Sequence, residues 1–331
     1  MMARNFVMNH FPIIRYVNAE QPFDSASVEA NIMVCKKKTK QDFVASYKLN
    51  TETKIFDFIS DISYSNIQKM PFGIFPFVFK KERLYTFDKL QSFTCRKLSD
   101  YVEIVRGFEC GYNDSRIGCG KYDLIKAESI NAYSISIDNV LKCNPDFTNE
   151  SKYKTKKLFF NTPKLITKFC SSNIQFALDE IGYCNTNSVY NCSLTALGKK
   201  QLKYILGILN STTTTFWFNT AFVNIDTLFP HIQKNQLEEI RIPVLPESEQ
   251  QPIITLVDRI LSAKKANPQA DTSVDEAIID ILVYLLYNLA FEEVQIVDPS
   301  FAVEEYGKWL VNYQQSGTLP TEAEMRAALG C

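Results

Sequence analysis

The chain has 331 residues, 46% of them hydrophobic and 22% charged, with a formal net charge of −1, the make-up of a globular protein long enough to bury a sizeable core. Nine cysteines, odd in number and without a CxxC pair, exclude a disulfide scaffold, and the two histidines, His10 and His231, lie too far from Cys110 and Cys119 for a zinc knuckle. No secretory signal opens the chain, and the longest greasy stretch, 278–291, falls short of the roughly 20 apolar residues that span a bilayer; the expectation is reduced thiols, a cytoplasmic location and no membrane partner.

The small net charge conceals an asymmetry. Residues 266–331 hold eleven acidic and two basic side chains, whereas residues 1–265 hold 34 basic and 26 acidic ones. A basic body carries an acidic tail.

To Lys40 the sequence alternates strand and turn, with Val28, Ile32 and Val34 in a short β-like run closed by lysines. That run reads as the end of a sheet. Residues 43–100 are rich in phenylalanine, and "MPFGIFPFVFK" is broken by Pro71 and Pro76. Proline fixes φ and lacks a donor, so an irregular, buried connector is expected there. From Leu98 to Tyr190 the β-like runs "YVEIV", "AYSISI", "KLFFN" and "NSVYNCSL" alternate with turn clusters, which predicts a mixed, sheet-rich domain. Then the period changes. Leu202, Ile205, Leu206 and Leu209 recur at helical spacing. A clearer helix follows in "PESEQQPIITLVDRILSAKK", with Ser248 expected as N-cap, Pro252 in the first turn and Lys264 and Lys265 at the negative end. In "SVDEAIIDILVYLLYNLA", Ser273 and Glu276 are spaced as a capping box, and the apolar residues cover more than one face, so this helix is expected to be buried.

The glycine-dense stretch 104–120, "IVRGFECGYNDSRIGCG", matches no phosphate cradle. GxxxxGK[ST] is absent, and Gly107, Gly111, Gly118 and Gly120 do not make GxGxxG. Neither histidine has the setting of a nucleophilic site, and His231 in "FPHIQK" reads as a loop or core residue. Lysines cluster in "KKKTK" at 36–40, "KYKTKK" at 152–157, Lys164 and Lys168, and "KKQLK" at 199–203. One such cluster is ordinarily a solvated face; several, interleaved with Tyr153, Phe159, Phe160 and Phe169, point to a polyanion.

With these blocks laid out, the chain resembles the C-terminal target recognition (TaqI-like specificity) domain of type IIG restriction–modification enzymes and adenine-specific DNA methyltransferases. The blocks occur in the family's order: "LSDYVEIVRGFECGYND", "LGILNSTTTTFWFNTAF", "LFPHIQKNQLEEIRIPVLPESEQQPIITLVDRIL" and "DEAIIDILVYLLYNLAFEEVQIV". Upstream, "FPIIRYVNAEQPFDSASVEANIMVCKKK" resembles the last strands of the family's methyltransferase domain. The base-gripping motif is missing: "CNPDF" at 143–147 has Asp146 where a second proline belongs and reads as an Asn-Pro turn. No methyl-donor loop or nuclease carboxylate cluster accompanies it, so the resemblance implies a fragment or a separately encoded specificity unit, with no catalytic residues and no metal of its own.

The implied fold is α+β: a methyltransferase-sheet remnant over 1–48, a connector over 49–97, a sheet-rich recognition domain over 98–265 and an acidic helical segment over 266–331. The implied function is sequence-specific double-stranded DNA binding in concert with a methyltransferase domain in cis or trans. S-adenosylmethionine and Mg are expected only in a full-length parent enzyme, and no cofactor in this chain. Candidate phosphate contacts are Lys121, Lys152, Lys154, Lys156, Lys157, Lys164, Lys168, Lys199 and Lys200. Candidate base readers are Arg106, Arg116 and Asn113, with Tyr112 for stacking, Gly107 and Gly111 for close approach, and Asn185 and Asn187 as a second loop. Two alternatives stand beside this: a partial methyltransferase completed by another polypeptide, and a protein-interaction module using the Phe-rich segment 72–79 and the acidic tail.

Overall fold

The computed structural model describes residues 7, 10–19, 31–36, 42–50, 52–109, 115, 117–138, 140–144, 162–171, 173–222 and 231–331. The chain is a mixed α+β protein of two compact units, each assembled from three stretches: Met1–Ser92, Trp217–Ile225 and Glu292–Pro299 in the first; Phe93–Phe216, Asp226–Phe291 and Ser300–Cys331 in the second. The divisions expected after residues 48 and 265 therefore fall inside units.

In the first unit, β1 (Ile13–Asn18), β2 (Asn31–Cys35), β3 (Phe43–Leu49) and β4 (Phe56–Ser63) form a sheet in the order β2-β1-β3-β4, with β1 and β3 parallel and the other neighbours antiparallel. Strand alternation sends Ile13, Val44 and Ile62 to one face, where Ile67 and Leu84 from the helices Tyr64–Lys69 and Lys81–Ser92 meet them. Phe77 and Phe79 fill the same core. The proline-broken segment is thus irregular and buried, as its composition predicts, but it is the heart of a unit and no connector. Phe87 stacks on Trp217 with ring centroids 6.2 Å apart, Arg83 Nε donates to Thr220 Oγ1 at 2.8 Å, and Lys89 pairs with Glu293 at 2.6 Å. Edge strand β2 leaves Ile32, Met33 and Val34 exposed.

The second unit holds β5 (Cys95–Lys97), β6 (Val102–Arg106), β7 (Ile117–Ile125), β8 (Ile130–Asn131), β9 (Ser134–Ile135), β10 (Leu141–Cys143), β11 (Lys164–Lys168), β12 (Phe176–Asp179), β13 (Cys184–Asn185), β14 (Val189–Leu194) and β15 (Arg241–Pro243). Its principal sheet is antiparallel, in the order β12-β11-β14-β6; a second has the order β10-β7-β13, and β15 with β5 and β8 with β9 form pairs. The helical period read from the sequence is realised in helices Leu202–Asn210, Glu247–Ala266 and Ser273–Leu286. Leu202–Asn210 and Glu247–Ala266 approach so closely that a Cβ on Gly207 would meet Ile253 Cγ2 at 2.6 Å. Asn210, at the end of its helix, exchanges two hydrogen bonds with the Phe176 backbone, at 2.8 and 3.0 Å. That contact ties the helix to β12.

Two expected caps move. Pro246, and not Ser248, is the N-cap of the long helix, and Thr272 precedes the helix that Ser273 was expected to cap. Thr272 Oγ1 donates to Glu276, while Ser273 N–H donates to Asp271. The acidic tail is also no appendage: Ile278, Ile279, Leu282 and Leu285 lie in the core.

Its carboxylates are engaged as well. Glu322 accepts from Arg259 at 2.7 and 3.0 Å and from Arg326 Nε at 2.7 Å, and Arg326 also reaches Asp275. The hydrogen bonds from Arg259 and then Arg326 pull the Glu322 carboxyl down to about 2 from its ordinary 4.5. A depressed carboxylate stabilises the fold above its unfolded pKa, and that contribution is lost as pH falls from 4.5 towards 2. Because the side chain is 41% exposed, solvent screening limits the effect to about 1 kcal/mol. Melting temperature should therefore fall more steeply in wild type than in Glu322→Gln between those two pH values; parallel curves would show that the network contributes nothing.

Candidate nucleic-acid interface

Several loops converge at one end of the principal sheet. Antiparallel register sets Arg106 opposite Tyr190 and Tyr190 opposite Thr167, so the end of β6, the start of β14 and the end of β11 share one edge. Beyond β6 the chain crosses to the loop before β14: Gly107 N–H donates to Val189 O at 2.9 Å, Phe108 N–H to Asn185 O at 3.1 Å, and Asn187 N–H to Phe108 O at 3.0 Å. The approach tolerates only glycine, since a Cβ at 107 would lie 2.0 Å from Thr186 O and 2.4 Å from Asn185 O. On the other side, Phe169 N–H donates to Ser188 O, Ile232 N–H donates to Phe169 O, and Cys170 bridges His231.

Arg106 is exposed and yet held on two sides. Its Nε donates to Asn187 O at 2.8 Å and Nη2 to the same oxygen. Its Cζ lies 3.9 Å from the Phe169 ring centroid and 5.9 Å from that of Tyr190. A guanidinium carries five N–H donors, so the edge facing away from Asn187 keeps a fork suited to a phosphate or to guanine O6 and N7. Stacking on an aromatic ring removes side-chain entropy before a ligand arrives.

Of the other sequence-predicted residues, Gly107 and Asn187 share this edge, Gly107 as the close-approach hinge and Asn187 as the carbonyl that orients Arg106. Gly111, Tyr112, Asn113, Arg116, Lys152, Lys154, Lys156 and Lys157 lie outside the described residues. Lys121 is exposed on β7, its ammonium 4.8 Å from the centre of the Tyr122 ring.

Two expectations, Lys164 and Asn185, are corrected, while Lys168, Lys199 and Lys200 are placed away from Arg106. Lys164 is fully buried, 3.3 Å from the equally buried Asp179 carboxylate and 3.1 Å from Tyr183 O, so it is a core cation and no phosphate contact. Asn185 is fully buried as well, exchanging amide hydrogen bonds with Asn191 at 2.8 and 2.7 Å, and presents nothing to a base. Alternation along β11 turns Lys168 to the face opposite Arg106, near Glu128; burial outweighs that attraction and lowers its pKa. Lys199 and Lys200 are exposed at the end of helix Ala196–Lys200, which follows the far end of β14. At about 3.3 Å per residue, the length of that strand separates them from Arg106.

Sequence reasoning named Phe169 only among the aromatics interleaved with the lysines and read His231 as a loop or core residue, so it did not anticipate the platform they form. The two rings stack at 4.8 Å with an interplanar angle of 26°. Nothing local in "FPHIQK" announces this, because the partner ring stands just beyond the end of β11, distant in sequence. Among the described residues no group of three or more His, Cys, Asp and Glu side chains could hold a metal ion, and no helix is long and apolar enough to cross a membrane. The Cys192 thiol, pushed up to about 12 by burial, offers no nucleophile.

In the second unit, loops thus gather at one end of the principal sheet around an oriented arginine. Residues 122–244 match the family model of the TaqI-like C-terminal specificity domain, the domain the sequence resembles. Among solved structures, the HsdS subunit from Thermoanaerobacter tengcongensis is similar at 13% identity and a TM-score of 0.33, covering 62% of this chain and 51% of its own. The type IIL restriction–modification enzyme MmeI, in complex with DNA, is similar at 10% identity and a TM-score of 0.48, covering 98% of this chain and 46% of its own. The type I restriction–modification S subunit from M. genitalium is similar at 14% identity and a TM-score of 0.29, covering 68% and 50% respectively. The chain spans about half the length of these structures. No curated protein matches it.

Proposed function

We propose that this chain reads the sequence of double-stranded DNA for a restriction–modification methyltransferase and does no chemistry itself. The observation that carries the reading is Arg106: an exposed fork, fixed by the Asn187 carbonyl and the Phe169 ring, on the sheet edge that adjoins the TaqI-like segment. Bidentate contact with guanine discriminates against a wrong base by about 1–3 kcal/mol. Arg106→Gln should therefore flatten the preference for one base pair about ten-fold or more while leaving affinity for unrelated duplexes within about three-fold. Lys-to-Ala changes at 154, 156 and 157 should weaken binding to every duplex and reduce the salt slope by about 0.9 for each phosphate no longer neutralised. Fluorescence anisotropy on duplexes of varied sequence, repeated across salt concentrations, separates the two effects. Should both sets behave alike, the division of labour fails.

The methyltransferase would be the partner of the first unit. Exposed Ile32, Met33 and Val34 on edge strand β2 favour continuation of that sheet by a domain in cis or trans. Burial of Phe77 and Phe79 in that unit's own core counts against the interaction-module alternative, which needs the 72–79 segment on the surface.

A further inference from the structure

His231 is built into the same edge. Its backbone is stitched to the end of β11 by the bridge to Cys170, by Ile232 N–H donating to Phe169 O at 2.8 Å, and by Tyr190 Oη donating to Ile232 O at 3.0 Å. Its side chain lies flat on Phe169 and is exposed, and no described residue hydrogen-bonds the imidazole. Stacking uses the face of the ring and turns its edge outward. Whichever tautomer is present, that edge offers at least one N–H donor.

Arg106 shares the platform. Its Cζ is 3.9 Å from the centre of the Phe169 ring, and the imidazole centre is 4.8 Å from the same point. Laid end to end, these distances span fewer than three base-pair steps at about 3.4 Å each. Two oriented donor groups so close together, one a fork and one a single point, suit neighbouring positions in one groove. The single N–H matches a purine N7, an acceptor that guanine and adenine both present in the major groove and pyrimidines lack. A phosphate would satisfy the same donor, but it would carry no sequence information.

We propose that His231 is a specificity-determining residue that donates to a purine N7 within two base pairs of the base read by Arg106, with Phe169 as their common support. This rests on the DNA-reading function proposed above. The test uses the full chain and a randomised duplex pool, from which wild type first selects its preferred sequence. Failure of wild type to enrich any sequence sinks the DNA-reading function, and this proposal with it. Given enrichment, His231→Phe keeps a ring on Phe169 and removes the donor. It should lose purine-over-pyrimidine preference at one position by about five-fold, the worth of one hydrogen bond, while its salt slope and melting temperature stay as in wild type. His231→Gln, which carries an amide donor, should retain part of the preference. Replacing that purine by its 7-deaza analogue should weaken wild type by the same factor and leave His231→Phe unaffected. If His231→Phe weakens all duplexes equally, or if wild type is indifferent to the 7-deaza substitution, the residue is a backbone contact or a structural one and the proposal is overturned.

Discussion

Asp179→Ala is expected to melt about 10 °C below wild type, because breaking a buried ion pair of this kind costs about 3–5 kcal/mol and each kcal/mol moves the melting temperature of a unit of this size by about 2–4 °C. Asp179 and Lys164 are both fully buried, and the carboxylate also accepts from the backbone N–H groups of Ile181, Gly182 and Tyr183 at 3.0, 2.8 and 2.9 Å. Burial pushes the Lys164 ammonium below its ordinary pKa, and Asp179 pulls it part of the way back. Removing the aspartate strands a buried cation and three amide donors. Lys164→Met should cost less, since the three amides still satisfy Asp179. The double variant should recover part of the loss, because the stranded ammonium is gone. A thermal melt of Asp179→Ala within about 3 °C of wild type would mean that the pair is not buried as described.

Gly107→Ala is the second. Its Cβ would stand 2.0 and 2.4 Å from two backbone oxygens, neither of them at the end of a flexible side chain. The crossing strand must retreat by about an ångström or more, stretching the hydrogen bonds of Gly107, Phe108 and Asn187. At about 1 kcal/mol per hydrogen bond, a loss of about 2–4 kcal/mol follows, read as a lower denaturant midpoint. A second consequence separates this variant from a merely unstable one. Asn187 O orients Arg106, so sequence preference should decline in the folded variant at low temperature while affinity for unrelated duplexes persists. Unchanged stability together with unchanged preference would refute the close approach.

Much of the fold was legible in the sequence because helical period survives in any context. Leu202, Ile205, Leu206 and Leu209 needed only each other to define a face. The position of Arg106 was legible too, beside a glycine at the end of a β-like run. What was hidden depends on partners distant along the chain. Lys164 looked like a surface cation because lysines at 152–157 and 168 flank it along the chain; only the β11–β12 register sets Asp179 opposite it. Asn185 looked like a loop amide, yet Asn191 closes a reciprocal pair with it inside the core. The helix cap shifted by one residue because Thr272 and Ser273 are nearly equivalent chemically, and the choice between them was made by Asp271 and Glu276. His231 acquired its setting only when Phe169 arrived beneath it.

The first unit is gathered from three stretches of chain, the last ending at Pro299. On a ribosome, the Phe87–Trp217 stack cannot close until residue 217 has emerged, nor the Lys89–Glu293 pair until residue 293 has. An amino-terminal piece cut at Ser92 would lack Trp217 and Glu293 and leave Phe87 without its cover. Expression of residues 1–92 alone should therefore yield an insoluble product, whereas joining the three stretches of this unit directly should preserve its core.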